Sequence, residues 1–143
     1  MRLDTDCIRD VLLCIEDNTG LRTMCFFIDS GLTSVAQWTG DVTEPPGYQE
    51  ELLKKYDNDT LVYHIHYCIE SELAIAREGN CGYKIWICDL SPAGHELLAK
   101  IRDIDQWHSV KKGLSAVRNF SLSAISSVAE GVTSAAINAY LEK

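Results

Sequence analysis

The first regular pattern along the chain has the period of an α-helix. Four apolar residues recur at intervals of three and four positions: Ile8, Val11, Leu12 and Ile15. This spacing places them on one face of a helix, which Asp4 or Asp6 can cap and which the Asn-Thr-Gly sequence at 18–20 ends. The next segment, Thr23–Asp29, has apolar side chains on both sides, which predicts a short strand buried on both faces.

Two helices and a β-hairpin are predicted in the middle of the chain. Tyr48–Tyr56 has the spacing of a short helix, and Thr60–Glu70 carries one apolar stripe that defines a longer helix. Two strands follow, Leu73–Arg77 and Tyr83–Leu90, joined by a glycine-rich tip. A further helix begins at Ser91-Pro92, because serine can cap a helix and proline suits its first position.

The order of these elements predicts the fold class. Two consecutive helices that lead directly into a hairpin are the arrangement of the winged helix, a helix-turn-helix variant in which the hairpin is the wing. The sequence therefore predicts an α+β winged helix-turn-helix (helix, strand, helix, helix, β-hairpin, helix) over residues 1–107. An insertion loop at 30–47 interrupts it, within which Leu32–Trp38 can form either a turn of helix or a strand. Residues 108–120 are predicted to be a linker or a short helix.

An added C-terminal helix is predicted over residues 121–143. Glu130 is the only charged residue in its segment 121–141. Because a smooth face of small side chains lets another helix approach closely, we expect this helix to form a homo-oligomer. The small residues recur at every fourth position: Ser123, Ser127, Gly131, Ala135 and Ala139.

Three stretches of the sequence resemble one protein family. They are Met1–Leu13 (MRLDTDCIRDVLL), Tyr63-His64-Ile65, and Leu90–Leu98 (LSPAGHELL) with Ile101-Arg102-Asp103 and Trp107 after it. Together they resemble a family of short bacterial and prophage-encoded proteins known only as a domain of unknown function. The likeness covers about residues 1–107 without the insertion loop. It implies a winged-helix-like fold and brings no activity or cofactor with it.

The chain departs from that family at the end of the third predicted helix. The family leaves this helix through an Ala-Gly-Leu turn, whereas Ser71-Glu72-Leu73 stands in this place here. Glycine suits the left-handed backbone conformation that often ends a helix. With Glu72 in its place, we expect the hairpin to leave the helix along a different path.

The charge distribution argues against nucleic acid as the partner. The chain has 13 lysines and arginines against 21 aspartates and glutamates, a formal net charge of −8 at pH 7. A face that holds phosphates is usually basic, and here the acidic excess lies mostly in residues 1–60. The predicted recognition helix, Thr60–Glu70, also lacks the Arg, Lys, Asn and Gln side chains that read base edges.

Metal and catalytic chemistry find little support in the sequence. The six cysteines include no CxxC pair and sit mostly in apolar patterns, which predicts reduced core thiols. His64, His66 and Cys68 form an HxHxC run, but on a helix position 66 points away from the other two, so we expect no metal site. No phosphate-binding loop, nucleophile elbow or HExxH motif is present. The sequence therefore predicts a non-enzymatic protein without a cofactor.

Two functions from different classes remain. The charge favours a protein-interaction module whose candidate surface comprises Tyr63, His64, His66, Tyr67, Arg77 and Lys84. The alternative is a DNA-binding accessory or transcriptional regulator that uses the 60–70 helix and the 73–90 wing, with candidate phosphate contacts at Lys54, Lys55, Lys111 and Lys112. An acidic start and the lack of a long apolar run predict a cytoplasmic protein without membrane contact.

Overall fold

The computed structural model of the protein describes residues 1–33, 40, 44–79 and 82–142. This part of the chain is a mixed α+β fold with six α-helices and one three-stranded antiparallel sheet. By contacts, the chain divides into a first unit, Met1–Gly94, and a second unit, His95–Lys143. The elements in chain order are α1 (Thr5–Asn18), β1 (Cys25–Ile28), a 3-10 turn (Ser30–Leu32), α2 (Gly47–Leu53), α3 (Asn58–Glu70), β2 (Ala74–Ala76), β3 (Lys84–Leu90), α4 (Pro92–Ile101), α5 (Ile104–Val117) and α6 (Leu122–Leu141).

The core of the first unit is built by the two longest predicted apolar stripes. α1 packs on α3 and on β3, and its stripe of Ile8, Val11, Leu12 and Ile15 is buried. Burying each of these side chains contributes about 1.5–3 kcal/mol. Asp4 caps α1 by accepting a hydrogen bond from the Cys7 N–H, so one of the two predicted caps is confirmed. The stripe of α3 that faces this core comprises Leu61, Val62, Ile65 and Cys68.

The sheet has the strand order β1-β3-β2, so the predicted hairpin gains β1 as a third strand. Phe27 of β1 lies opposite Ile85 of β3, and both side chains are buried. On the other face of β1, Ile28 is buried and Phe26 is half-buried. β2 is short and its register shifts between Ile75 and Ala76. The central position of β3 thus makes it the strand on which the sheet is assembled.

The outer edge of β1 is covered by two side chains of α2. The Tyr48 hydroxyl donates to the Phe26 carbonyl at 2.6 Å and accepts from the Phe26 N–H at 2.8 Å. The Gln49 side-chain nitrogen donates to the Ile28 carbonyl, and its side-chain oxygen accepts from the Ile28 N–H, both at 2.8 Å. Gln49 is fully buried, and a buried amide is tolerated only when it is hydrogen-bonded. These four bonds replace those that a neighbouring strand would make.

The connection between α2 and α3 lies earlier in the chain than the sequence predicts. α2 ends at Leu53 and not at Tyr56, whose hydroxyl donates to Asp10 of α1 at 2.7 Å. Burial and this carboxylate raise the pKa of Tyr56 well above its ordinary value. Asp57 caps α3 by accepting from the Thr60 N–H, a bond that lowers the pKa of Asp57. Because the cap is Asp57, α3 begins at Asn58, two residues before the predicted start at Thr60.

The turn after α3 keeps the left-handed conformation although no glycine is present. Glu72 has a φ of 61°. Its N–H bonds to the Ile69 carbonyl at 3.0 Å, and the Leu73 N–H bonds to the Cys68 carbonyl at 2.9 Å, which is the bonding pattern of the Schellman motif. Glu72 therefore adopts the backbone conformation that glycine would favour at this position, and a different path of the hairpin stays a prediction. The backbone hydrogen bonds hold Glu72 in the left-handed conformation although its side chain disfavours it.

Replacing Glu72 with glycine is expected to stabilise the protein. A non-glycine residue in the left-handed region costs about 1–2 kcal/mol, and the exposed Glu72 side chain offers no apolar burial in compensation. We expect the free energy of unfolding in urea to rise by about 1 kcal/mol, with an unchanged slope against urea concentration. Ser71→Gly is the control, since Ser71 has an ordinary φ of −84° and glycine there should lower stability. A lower urea midpoint for Glu72→Gly would contradict this account.

The second unit contains α5 and α6 packed against each other. Where the sequence predicted a linker or short helix at 108–120, the structure has α5 over Ile104–Val117. A Cβ atom at Gly113 of α5 would lie 2.7 Å from Cγ1 of Val128 in α6, so the two helices approach closely at this point. Lys100 and Glu130 form an ion pair at 3.0 Å. The buried side chains of α5 and α6 are Trp107, Val110, Leu114, Ile125 and Ala129.

Candidate interaction surface

His64 is buried and does not belong to the surface on which the sequence placed it. Its side chain is 0% exposed. The Nε2 atom accepts from the Asp4 N–H at 2.8 Å, and Nδ1 lies 2.7 Å from the Thr60 carbonyl. Because an amide N–H can only donate and a carbonyl can only accept, the ring is the neutral tautomer with its proton on Nδ1. His64 therefore joins the start of α1 to α3 as a structural residue.

The other three α3 residues of the predicted surface lie together. Tyr63 is 41% exposed, His66 is exposed and Tyr67 is half-buried. They line one open concavity of about 670 Å³, which is called the α3 concavity below. Four further residues complete its lining: Met1, Asp59, Val62 and Glu70.

Two acidic residues of the α3 concavity are not among the predicted surface residues. Asp59 and Glu70 are placed at the first and last turns of α3, on the side that faces away from the apolar stripe. Positions 59, 63, 66 and 70 follow one another at intervals of three and four, which is the spacing of a single helical face. That signal was present in the sequence.

The two wing residues of the predicted surface are placed differently. Arg77 and Lys84 line a second concavity of about 300 Å³ together with His66, so His66 is common to both concavities. Arg77 is exposed. The Lys84 ammonium lies 4.6 Å from the centroid of the Phe26 ring, on the face of the sheet opposite Ile85. The charge of Lys84 is thus directed at an aromatic ring.

Two of the candidate phosphate contacts, Lys54 and Lys55, are paired with carboxylates. Lys54 is paired with Glu51 at 2.7 Å, and Lys55 with Asp10 at 3.5 Å. In the second unit, the Lys111 ammonium lies 5.9 Å from the centroid of the Trp107 ring, and Lys112 is exposed. Phosphate binding by Lys54 or Lys55 would have to compete with the carboxylates that already hold them.

The cysteines of the described residues are all free. Cys7, Cys25 and Cys68 are buried, and burial raises the pKa of the Cys25 thiol to about 11 and that of Cys68 to about 12. A thiol with a raised pKa is a poor nucleophile and a poor metal ligand at neutral pH. Within residues 1–33, 40, 44–79 and 82–142, no cluster of three His, Cys, Asp or Glu side chains could hold a metal ion. Cys81 lies outside the described residues.

The small-residue face of α6 is open. Each of its five predicted members is exposed, and a Cβ atom added at Gly131 would meet nothing within 4 Å. Beyond Thr133 every residue of α6 is exposed, including Ile137 at 54% and Tyr140 at 77%. Among the described helices, none has the length and apolar content needed to cross a bilayer. The members of this face are Ser123, Ser127, Gly131, Ala135 and Ala139.

Residues of the three stretches that carry the family resemblance bond to neighbouring elements of the fold. His64 of the second stretch bonds to Asp4 of the first. In the third stretch, the Ser91 hydroxyl donates to the Glu72 carbonyl and accepts from the Gly94 N–H, and the Ser91 N–H bonds to the Leu73 carbonyl at 2.9 Å. These residues therefore join α1 to α3 and α3 to α4. Their role in this chain is to hold elements in place.

The comparisons with known proteins agree with the resemblance seen in the sequence. A family model described as hypothetical protein DUF2513, a domain of unknown function, matches residues 2–120. The match extends beyond residue 107 and includes α5, while α6 lies outside it. No curated protein and no solved structure matches the chain. Because the matched residues are most of its length, the chain belongs to the DUF2513 family of hypothetical proteins.

Proposed function

We propose that the protein is a non-enzymatic interaction module of the winged-helix type, which binds a protein partner through the exposed face of α3. The order of α1 to β3 and the antiparallel β1-β3-β2 sheet support the fold assignment. A bacterial or prophage origin and a cytoplasmic location, which the sequence predicts, stay predictions.

The observation that carries this proposal is the chemistry of the α3 face. In a DNA-binding winged helix, this face would enter the major groove and present donors to base edges. Here it presents two tyrosines, one histidine, Asp59 and Glu70, and the carboxylates would repel phosphates. Aromatic side chains are enriched in protein–protein interfaces. The face is therefore better suited to a protein than to a duplex.

Binding to duplex DNA distinguishes this function from the alternative of a DNA-binding accessory or regulator. The experiment measures the fluorescence anisotropy of a labelled random-sequence duplex at low salt and at physiological salt. We expect no binding at low salt, where phosphate contacts are strongest. Affinity that is tight at low salt and falls steeply with added salt would overturn the interaction module and favour the alternative.

Self-association through α6 is a second candidate function, and it can act together with the first. It is favoured by the open small-residue face and by the exposed apolar side chains beyond Thr133. Glu130, the only charged residue between positions 121 and 141, is already paired with Lys100. A helix surface without unpaired charge can be buried against a second copy at little desolvation cost.

Replacing Gly131 with leucine is expected to weaken self-association about tenfold. The added side chain would project from the small-residue face and keep two helices from close approach. Light scattering after size-exclusion chromatography would show a shift from oligomer to monomer at a given concentration. Ala136→Leu is the matched control, because this exposed position lies on another side of α6. A monomeric wild-type protein, or an unchanged oligomer for Gly131→Leu, would remove this second function.

A further inference from the structure

The α3 concavity has acidic groups at both ends of its helical wall. Asp59 and Glu70 lie about 16 Å apart along the helix axis, at about 1.5 Å per residue. Both side chains are exposed. Within the described part of the chain, neither carboxylate forms an ion pair. The wall between them carries no lysine or arginine, so two unneutralised charges border the concavity.

Aromatic and apolar side chains fill the space between these carboxylates. Tyr63 and Tyr67 present their rings there, and Met1 and Val62 add apolar lining. A tyrosine ring attracts a guanidinium or ammonium group through its π face. Arginine is especially suited to such a surface, because its planar head stacks on rings while it bonds to a carboxylate. The lining therefore matches a cation that carries apolar surface.

From this arrangement we propose that the α3 concavity binds a basic peptide segment of another protein, with its arginine or lysine side chains on Tyr63 and Tyr67 and paired with Asp59 and Glu70. The inference rests on the interaction function proposed above and specifies its partner. A nucleic acid would bring phosphates to the same carboxylates. A second copy of this chain would bring the same two acidic residues to the interface, and like charges disfavour such a contact. A basic segment has the complementary charge.

The spacing of the carboxylates defines a suitable peptide. Two arginines four residues apart in an extended chain lie on one side, about 13 Å from each other. The length of the arginine side chain covers the remaining difference. A fluorescein-labelled peptide with this spacing, in a background of alanine and serine, is the probe. The same peptide with both arginines replaced by glutamate is the negative control. Fluorescence anisotropy measures the affinity of both for the full chain.

Two double variants of the protein locate the binding site. Asp59→Asn/Glu70→Gln removes the carboxylates of the α3 concavity while retaining the shape of the side chains. Asp17→Asn/Glu50→Gln removes the same charge from exposed positions on α1 and α2 that do not line it. We expect the first variant to bind the arginine peptide about tenfold more weakly. The second should stay within about twofold of wild type, because exposed distant charges are screened by salt.

The aromatic contribution has its own variant and its own control. Tyr63→Ala should weaken peptide binding about fivefold through the lost ring contact. Circular dichroism and urea unfolding establish that the variant is folded, which is expected because the Tyr63 side chain is 41% exposed. Tyr63→Phe retains a ring and should bind within about twofold of wild type. If Tyr63→Ala binds as wild type does, the rings do not hold the basic side chains and the inference fails.

The outcomes separate this inference from the proposed function. Binding of the arginine peptide that depends on Asp59 and Glu70 supports both. If neither the arginine peptide nor duplex DNA binds, the basic-partner inference is wrong while the interaction module stands. Equal loss in the two double variants would show attraction by net charge alone and would also overturn the inference. Salt-sensitive duplex binding would overturn the proposed function itself.

Discussion

Replacing Gly94 with alanine is expected to destabilise the protein by about 3 kcal/mol. A Cβ atom at this position would lie 2.0 Å from the Leu73 carbonyl oxygen and 3.0 Å from its carbon. Leu73 is fixed, because its N–H bonds to Cys68 and its carbonyl accepts from the Ser91 N–H. The backbone therefore cannot move without breaking bonds at the junction of α3 and α4, and overpacking of such a site costs about 1–3 kcal/mol or more. Urea unfolding measures the change.

Gly47→Ala provides the matched control for this substitution. Gly47 begins α2 and a Cβ atom there would meet nothing within 4 Å. Alanine should be neutral or slightly stabilising at such a position, because it restricts the unfolded chain. If Gly94→Ala unfolds at the same urea concentration as wild type, the close contact with Leu73 is not tight in solution and the proposed junction is wrong.

Replacing His64 with alanine is also expected to cost about 3 kcal/mol. The substitution removes a fully buried ring and leaves the Asp4 N–H without its acceptor. A cavity in a packed core and an unsatisfied donor each contribute to the loss. We also expect α1 to fray at its first turn, because the Asp4 backbone is no longer held by α3. Hydrogen exchange of the amides in this turn should accelerate more than exchange in the centre of α3.

His66→Ala separates the effect of burial from that of residue type. His66 is on the same helix, two residues further along, and is exposed. Its replacement should change stability by less than about 0.5 kcal/mol. Of the two histidines, only His66 lines the α3 concavity. A partner bound there is therefore expected to contact His66 and not His64. Equal destabilisation by both variants would contradict the structural role of His64, which is to connect the start of α1 to α3.

The helices that the sequence predicts well are those with a complete apolar stripe. The α1 stripe and its cap at Asp4 are confirmed, and the apolar stripe predicted from Leu61 to Ile69 lies on α3. Periodicity succeeds here because burial of one face is what stabilises these helices. The end of α2 is predicted less well. Tyr56 has apolar character, but its hydroxyl bonds to Asp10 of α1, and such a long-range contact leaves no local pattern.

The left-handed conformation of Glu72 and the burial of His64 both run against what residue type alone favours. Local preference disfavours a left-handed glutamate, yet the Glu72 and Leu73 N–H groups bond to Ile69 and Cys68 and hold that conformation. Residue type likewise favours an exposed histidine, yet His64 has two hydrogen-bond partners and is buried. For His64 the decisive partner is Asp4, which is distant in sequence. Local sequence preferences do not include such long-range contacts, so they do not predict the burial of His64.

The candidate site was predicted only in part for the same reason. The spacing of Tyr63, His66 and Tyr67 places them on one helix face, and they do line one concavity. The position of the wing relative to that face depends on the packing of β2 and β3, which the sequence does not encode locally. The Lys84 ammonium lies over the Phe26 ring, and Arg77 and Lys84 line a separate concavity that also includes His66. The helical spacing therefore predicted the α3 concavity, while the hairpin residues belong to its neighbour.

The side chains that cover β1 restrict how this protein can assemble. Strand-by-strand growth into a fibril needs an edge with free amides and carbonyls. On β1 those groups of Phe26 and Ile28 are already bonded to Tyr48 and Gln49. The opposite edge, β2, is three residues long and irregular in register, so it is a poor template for another strand. Among the described residues, both edges of the sheet are therefore poorly suited to pair with a strand of another molecule.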